Sequence, residues 1–255
     1  MKAKTLKPQL WKTALARRLL GSAPEARSIV HAVELIASRL LTGIESPPSD
    51  LKALATALGV CAWSEDPNLP VSGELRREGA EFRIFLAPGQ SRGRQRFTIA
   101  HELGHAFFEH TGDRPPRHGE ELERLCDMLA TEFLMPTQRV RTYLGAEPTA
   151  ERIIEMARVF DVSLTAAAYR FSELTKTHVF GLDADQTLMF KRGAIDFRDS
   201  ELQAAAQPAL SGQRVDARVF LSYNRVWNGP WRLQGAPVNG AKAVFLLRPL
   251  VNAAR

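Results

Sequence analysis

The sequence is organised around one stretch, Arg96-Phe97-Thr98-Ile99-Ala100-His101-Glu102-Leu103-Gly104-His105-Ala106-Phe107-Phe108. Its centre, from His101 to His105, has the form H-E-x-x-H. On a helix, residues four apart lie on one face, so the two imidazoles can bind a single Zn²⁺ ion. Glu102 would then lie beside the ion, where its carboxylate can take a proton from water.

A helix over this stretch is supported independently of the metal motif. Proline and runs of β-branched residues are absent from 99–110. Apolar residues recur near the helical period at Ile99, Ala100, Leu103, Ala106 and Phe107. Three fixed identities arise by chance in about one chain in a hundred of this size, so a polar helix face with solvated histidines is the alternative. A zinc site needs a third protein ligand, and that ligand is the next test.

A second amphipathic helix is predicted between Glu120 and Pro136. Its apolar residues recur at Leu122, Leu125, Leu129 and Phe133. Proline cannot continue a helix, so the helix should end at about Met135.

The third ligand is predicted on this second helix, at Glu123. Glu123 and Asp127 are four residues apart, so an Asp one turn after the ligand can hydrogen-bond and orient a ligand histidine. The competing ligands on this helix are Glu120, Glu121 and Glu132, none of which has the same arrangement of following residues. The alternative is an acidic, solvated helix face. Cys126 points away from Glu123 on a helical wheel and is interpreted as a core residue.

Composition indicates an ordinary globular protein. The 255 residues can form one large domain or two small ones, and 45% are hydrophobic and 24% charged. No apolar run is long enough to span a bilayer, and the N-terminus has no signal-peptide core. Two cysteines do not suggest a disulfide scaffold, so we expect a cytoplasmic location and no membrane partner.

The net charge of +6 is concentrated at the N-terminus. The chain carries six positive charges before its first acid, Glu25, so the remainder sums to zero. This pattern predicts a basic N-terminal arm and not a uniformly basic nucleic-acid surface.

Four segments are predicted along the chain. Residues 1–45 form an N-terminal helical segment with the basic arm, and 46–145 form the core that carries the metal motif. Within that core, short strands are expected near 60–63, 71–75 and 81–86, and the last of these is a candidate edge on which an extended peptide could add itself. A loop is expected over 87–94.

The third segment, 146–176, is predicted to be a helix-turn-helix-like unit. Its turn lies at Asp161-Val162-Ser163. DNA recognition requires several phosphate-neutralising side chains. Residues 149–175 carry three arginines against four acids, a balance of −1, which argues against direct DNA binding.

The fourth segment, 177–255, is predicted to be a strand-rich C-terminal domain with a sensory or substrate-binding role. Strand-like runs lie around 179–180, 188–191, 217–223 and 243–247. Trp227 and Trp231 lie between the last two runs and could either fill the core or line a pocket.

Three stretches resemble the ImmA/IrrE metallopeptidases, which are gluzincin-like zinc endopeptidases. They are 97–105 around the H-E-x-x-H motif, 123–127, and Phe133-Leu134-Met135-Pro136. The resemblance implies an α+β fold with a zincin-like core of a small sheet and two motif helices. It implies zinc, with manganese as an alternative, held by His101, His105 and Glu123, and Glu102 as the catalytic base.

The family resemblance also implies a substrate and a biological role. Members cleave a helix-turn-helix transcriptional repressor and thereby derepress stress-response or mobile-element genes. Many members have Asn where this chain has Asp127. The tail of some 80 residues is short for the sensor-like domain of the IrrE type.

Peptide hydrolysis at such a site needs the metal, a base and one more donor to the developing oxyanion. The sequence leaves that donor open among Tyr143, Tyr169, His118 and an arginine of 92–96.

Two other functions use the 149–175 unit: a DNA-binding transcriptional regulator with a structural zinc, and a module that binds a repressor without cutting it. The intact Glu102 argues against the first, since a purely structural zinc site does not need a base.

Overall fold

The computed structural model describes residues 13–44, 47–111, 116, 119–145, 147–193, 200–223, 227–239 and 242–250. The predicted basic arm therefore lies largely outside the described residues. The chain divides into two compact units, Met1–Thr137 and Gln138–Arg255. Both helices and sheets are present, which confirms the mixed α+β class. The division into four segments stays a prediction.

The first unit begins with three helices whose N-termini are capped by side chains. They are α1 (Ala14–Ser22), α2 (Ile29–Leu40) and α3 (Leu51–Ala57). Thr13, Ser28 and Asp50 each accept hydrogen bonds from main-chain N–H groups of the first turn, which have no partner within the helix.

A three-stranded sheet follows, made of β1 (Val60–Glu65), β2 (Gly73–Glu78) and β3 (Glu81–Leu86). The strand order is β1-β3-β2, with β1 parallel and β2 antiparallel to β3. The prediction that the 81–86 strand forms the edge is therefore wrong, because β3 lies in the middle and β2 is an edge strand. The alternation of buried residues on β3 indicated one buried face, but it carried no information on which strands flank it.

Two long helices complete the first unit, α4 (Arg92–His110) and α5 (Glu120–Leu134). They pack against each other, and α4 also packs on β2 and β3. The end of α5 before Pro136 confirms the prediction from the sequence. The start of α4 differs, since residues 92–94, predicted as loop, form its first turn. That turn is polar and partly exposed, so it lacks the apolar spacing that marked the rest of the helix.

The second unit contains α6 (Thr137–Leu144), which begins at the boundary, α7 (Ala150–Val159) and α8 (Leu164–Thr175). The last two helices pack against each other around buried apolar residues such as Ile153, Phe160 and Phe171. The turn between them includes Asp161 at a positive φ of 52°. The two helices lie where the sequence indicated them.

The rest of the second unit is a five-stranded antiparallel sheet with one helix. Its elements are β4 (His178–Leu182), β5 (Leu188–Arg192), α9 (Ser200–Leu210), β6 (Val215–Tyr223), β7 (Trp227–Pro237) and β8 (Ala243–Pro249). The strand order is β5-β4-β8-β7-β6. α9 contacts three of these strands, and its apolar side chains share one core with theirs, in which Phe180 and Phe245 stack at 4.8 Å between ring centroids.

Two elements of this unit are missing from the sequence prediction. α9 contains Pro208, and β7 contains Gly229-Pro230, so each carries residues that normally interrupt its type of structure. Trp231 belongs to the buried core, whereas the side chain of Trp227 lies outside what the structure describes. No helix in the described part of the chain is long and apolar enough to cross a bilayer.

Candidate active site and metal centre

The candidate site lies where α4 and α5 pack together. His101 and His105 are one turn apart on α4, and Glu123 and Asp127 are one turn apart on α5. Amphipathic patterning buries the apolar stripe of each helix, and the four polar side chains meet beside the helix–helix contact. The structure thus brings together all four side chains that the sequence placed at the metal site.

The ligand atoms of three residues converge on one point. The two imidazole Nε2 atoms are 3.2 Å apart. The Glu123 carboxylate oxygens lie 3.1 Å from His101 Nε2 and 3.5 Å from His105 Nε2. Ligands bound tetrahedrally to Zn²⁺ at their usual bond lengths lie about 3.3 Å from one another. The spacing of these atoms therefore fits a zinc-sized ion without rearrangement.

Asp127 orients one of the two imidazoles. His101 Nδ1 lies 2.9 Å from Asp127 Oδ1, so the ring donates its Nδ1–H there and turns the Nε2 lone pair towards Glu123. Two Nε2 lone pairs and a carboxylate facing one point repel one another unless a proton or a cation lies between them. The arrangement of this donor set fits a divalent metal.

The protonation of His101 reflects the same surroundings. Burial lowers the pKa of His101, but the hydrogen bond that His101 donates to Asp127 and the negative charges of Glu102, Asp127 and Glu123 outweigh this effect, and the pKa is raised. A cation at this point would replace the proton that these carboxylates otherwise attract.

The site is closed by protein on one side and open to solvent on the other. The imidazoles of His101 and His105 are 16% and 12% exposed, whereas the Glu123 side chain is 50% exposed. Among the residues the structure describes, these three form the one group of at least three ligand-type side chains close enough to hold a metal ion. Open space beside Glu123 leaves room for water and a substrate, as hydrolytic metal sites require.

Glu102 faces the small sheet. It is 6% exposed, and its carboxylate accepts a hydrogen bond from the main-chain N–H of Leu75 on β2. Burial raises the pKa of Glu102 to about 7, with a smaller opposing effect from His101. A carboxylate with a pKa near neutrality can both accept and donate a proton under physiological conditions.

Two of the three competing acids of α5 have other partners. Glu121 accepts a hydrogen bond from Thr13, and buried Glu132 accepts two from Thr137, through its N–H and its hydroxyl. Neither lies in the group of metal ligands. Cys126 is fully buried, which matches its interpretation as core.

The oxyanion donor stays undecided among the candidates. His118 lies outside the described residues. Tyr143 and Tyr169 belong to the second unit, where their rings pack on Phe160 and Phe190.

Two of the three arginines at the start of α4 donate to hydroxyl or main-chain oxygens. Arg94 donates to the Ser72 hydroxyl, and Arg96 donates to the Ser49 carbonyl.

Two glycines at the site have no counterpart in the sequence prediction. A Cβ on Gly104 would lie 3.0 Å from Cys126 Cα, and one on Gly73 would overlap the Thr98 methyl group. Both allow close approach between elements that carry site residues. A single sequence shows a glycine but not the neighbour that it must admit, so only coordinates reveal these roles.

Comparison with known proteins bears on this same region. Residues 71–172 match the family described as the IrrE N-terminal-like domain. The chain is 36% identical over 117 residues to the radiation response metalloprotease IrrE of Deinococcus deserti, covering 39% of this chain and 41% of that protein. It is 34% identical over 117 residues to the protein of the same name from Deinococcus radiodurans, covering 40% and 36%.

The chain thus spans about two fifths of the length of these relatives. A solved structure of a Mycobacterium tuberculosis transcriptional regulator is similar at a TM-score of 0.48 and 17% identity, covering 92% of this chain and 80% of that chain. The matched range 71–172 contains every residue of the site described above. Over this range, the chain contains a domain similar to the IrrE N-terminal-like domain.

Proposed function

We propose that the protein is a zinc-dependent endopeptidase that cleaves a helix-turn-helix transcriptional repressor and so derepresses stress-response or mobile-element genes. The observation that carries the proposal is the meeting of His101, His105 and Glu123 at tetrahedral spacing, with Glu102 next to His101 on the same helix. A purely structural metal site would be satisfied by ligands alone and would not need this acid.

The edge of the small sheet provides a place for an extended peptide. Leu75 directs its N–H to Glu102, so its main chain points away from β3. Main-chain groups alternate in direction along an antiparallel pair, so Gly73 and Arg77 also point outward. A substrate strand could therefore pair with the outer edge of β2 and pass beside the metal ligands.

Each residue of this site has a separate role in the proposed hydrolysis. When bound, a zinc ion supplies a Lewis acid that polarises the scissile carbonyl and acidifies water. Glu102 takes the proton of the attacking water and delivers it to the leaving nitrogen. Asp127 holds the His101 ring in the tautomer that leaves Nε2 free to bind. Main-chain pairing with β2 would hold the substrate extended beside the metal ligands.

The choice of substrate rests on the family resemblance. The two Deinococcus relatives are named radiation response metalloproteases, which supports a protease in a stress response. A repressor as substrate also accords with residues 149–175, whose balance of charge is −1 and which are poorly suited to bind duplex DNA themselves.

The test uses the full chain, stripped of metal and reloaded with zinc or manganese. It is incubated with peptides derived from a bacterial proteome and with purified helix-turn-helix repressors, and new N-termini are identified by mass spectrometry. We expect cleavage that requires metal and disappears in Glu102→Gln, while that variant keeps its metal stoichiometry. Cleavage that persists in Glu102→Gln would contradict the role of the base.

Binding of a repressor or of DNA without cleavage would support one of the two other functions. If the metal-loaded wild type binds a repressor and yields no fragments from any substrate, the protein is a sequestering module. If it instead binds labelled DNA with an affinity that falls steeply with salt, it is a DNA-binding regulator.

A further inference from the structure

The contact between β2 and α4 contains a residue that carries no reactive group. Gly73 begins β2 and faces the helix at Thr98 and Glu102. A Cβ at this position would overlap Thr98 Cγ2 and would lie 3.2 Å from Glu102 Oε1 and 3.3 Å from Glu102 Cγ. The φ of Gly73 is not in the left-handed region, so space and not backbone conformation explains the absence of a side chain here.

A set of hydrogen bonds holds the strand at this distance from the helix. The Thr98 hydroxyl donates to Gln90 Oε1 at 2.9 Å. Gln90 Nε2 in turn donates to the main-chain carbonyls of Ser72 at 2.6 Å and Ala87 at 3.0 Å. The residue immediately before Gly73 is thereby tied to α4 one turn before Glu102.

The close approach of β2 to α4 also brings a main-chain N–H group to Glu102. Leu75 lies two residues beyond Gly73 on the same strand, and its N–H donates to the Glu102 carboxylate. Residues two apart on a strand place their side chains on the same face of the sheet and direct their N–H groups to the same edge. Displacement of β2 at Gly73 would therefore move the Leu75 N–H away from Glu102.

We propose that Gly73 is a positioning residue for Glu102: the missing side chain lets β2 approach α4 until the Leu75 N–H fixes the orientation of the carboxylate. The proposal deepens the peptidase function proposed above and rests on it for its kinetic part. A Cβ at Gly73 would meet Thr98 and Glu102 and none of the metal ligands, so the effect of Gly73 on the acid passes through the position of β2 and the Leu75 N–H.

The first experiment needs no activity and no metal. In the ¹⁵N-labelled, metal-free full chain, the Leu75 amide resonance reports the hydrogen bond. We expect Glu102→Gln to shift this resonance, because the charged acceptor is lost. Gly73→Ala should shift it upfield and speed its hydrogen exchange. Gly119→Ala is the matched control, since a Cβ there meets nothing within 4 Å and φ is extended.

A second substitution should restore the contact. Thr98→Ser removes the methyl group that a Cβ at position 73 would strike and keeps the hydroxyl bound to Gln90. The double variant Gly73→Ala/Thr98→Ser should return the Leu75 resonance part of the way, because the closer of the two obstructions is gone. If Gly73→Ala alone does not fold, this double variant and Glu102→Gln still decide the outcome.

The second experiment measures cleavage by the zinc-loaded chain. We expect Gly73→Ala to lower kcat about 10- to 100-fold, a larger factor than any change in KM, with unchanged zinc stoichiometry, since misplacement of a reacting group acts on the chemical step. Thr98→Ser should recover part of the loss in the double variant, and Gly119→Ala should match the wild type. If Gly73 had only a structural role, Gly73→Ala would lower the amount of folded enzyme. It would not lower kcat more than it changes KM, and Thr98→Ser would not restore kcat.

Specific results would overturn the proposal. If neither Glu102→Gln nor Gly73→Ala shifts the Leu75 resonance, the hydrogen bond between Leu75 and Glu102 is contradicted. Wild-type kinetics in Gly73→Ala would contradict the role of Gly73 in positioning Glu102. Absence of any cleavage by the wild type is different, because it contradicts the peptidase function while the amide measurements still test the contact.

Discussion

Gly104 of α4 packs directly against Cys126 of α5. A Cβ on Gly104 would lie 3.0 Å from Cys126 Cα and 3.1 Å from its Cβ, so the two helices touch through backbone at this point. Glu123 lies three residues before Cys126 and Asp127 lies one residue after it. The separation of the helices at Gly104 therefore determines whether both carboxylates reach the imidazoles of α4.

We expect Gly104→Ala to weaken zinc binding about tenfold and to lower the free energy of unfolding by about 1–3 kcal/mol. The added methyl group meets backbone that can yield only by moving α5 away from the histidines. Competition with a chromophoric chelator gives the zinc affinity, and urea unfolding gives the stability. Gly21→Ala in α1, where a Cβ meets nothing within 4 Å, is the control. Wild-type affinity in Gly104→Ala would show that this spacing is not limiting.

Asp127→Ala should lower zinc affinity about 10- to 100-fold, because His101 loses the acceptor that fixes its tautomer. Asp127→Asn keeps an oxygen that can accept from Nδ1–H, so its affinity should lie between those of Asp127→Ala and the wild type. The same chelator competition measures both variants. Glu120→Ala, at the exposed start of α5, should bind zinc like the wild type. Equal affinities for Asp127→Ala and the wild type would argue that Asp127 does not orient the ring.

Without metal, Glu102→Gln should become more stable than the wild type as the pH rises. Burial raises the pKa of Glu102 from its ordinary value to about 7. The folded state therefore binds this proton more tightly than the unfolded state. The resulting stabilisation is complete below the pKa of Glu102 in the unfolded chain, and it is lost as the pH rises through the pKa of Glu102 in the folded protein. The difference can reach about 3 kcal/mol above neutrality.

Urea unfolding of the metal-free proteins across this pH range measures that difference. Glu120→Gln, on the exposed start of α5, should differ little from the wild type at every pH. A stability difference for Glu102→Gln that stays constant with pH would contradict the burial of this charge.

In the second unit, Arg232→Gln should destabilise the protein by less than about 1 kcal/mol. Arg232 donates two hydrogen bonds to Asp216, at 2.7 and 2.6 Å, and these bonds with its positive charge lower the pKa of Asp216. A lowered carboxyl pKa stabilises the fold above the unfolded pKa, and the effect is lost as the pH falls through the folded one. Both side chains are partly exposed, so solvent and salt screen the pair.

Unfolding at low and at high salt, near neutrality and at acid pH, tests this expectation. The difference from the wild type should shrink with salt and with acid. A loss well above 1 kcal/mol that is insensitive to salt would indicate packing by the Arg232 stem instead.

The sequence predicted which side chains would lie close together because their spacing along each helix is local. His101 and His105 share a face by helical period alone, and Glu123 and Asp127 repeat the same spacing on the next helix. Only the packing of the two helices against each other had to be assumed. That assumption was reasonable because one helix offers two metal ligands and the other offers a third ligand with an acid that can orient a histidine. The structure brings the ligand atoms together as the spacing indicated.

What the sequence did not reveal depends on partners distant in the chain. β3 alternates buried and half-buried residues, but its central place follows from pairing with β1 and β2. β7 tolerates Pro230 because its pairing with β8 begins only at the next residue, Trp231, and α9 tolerates Pro208 in its last turn. Tertiary packing outweighs local propensity at these positions.

The half-exposed carboxylate of Glu123 also bears on how firmly an ion would be kept. Its two companion ligands are enclosed, so exchange with the medium would begin by rotation of this one side chain into solvent. We therefore expect an ion in this centre to be stripped rapidly by chelators and to be replaced by whichever divalent metal is abundant, so that occupancy would follow the supply of metal around the protein.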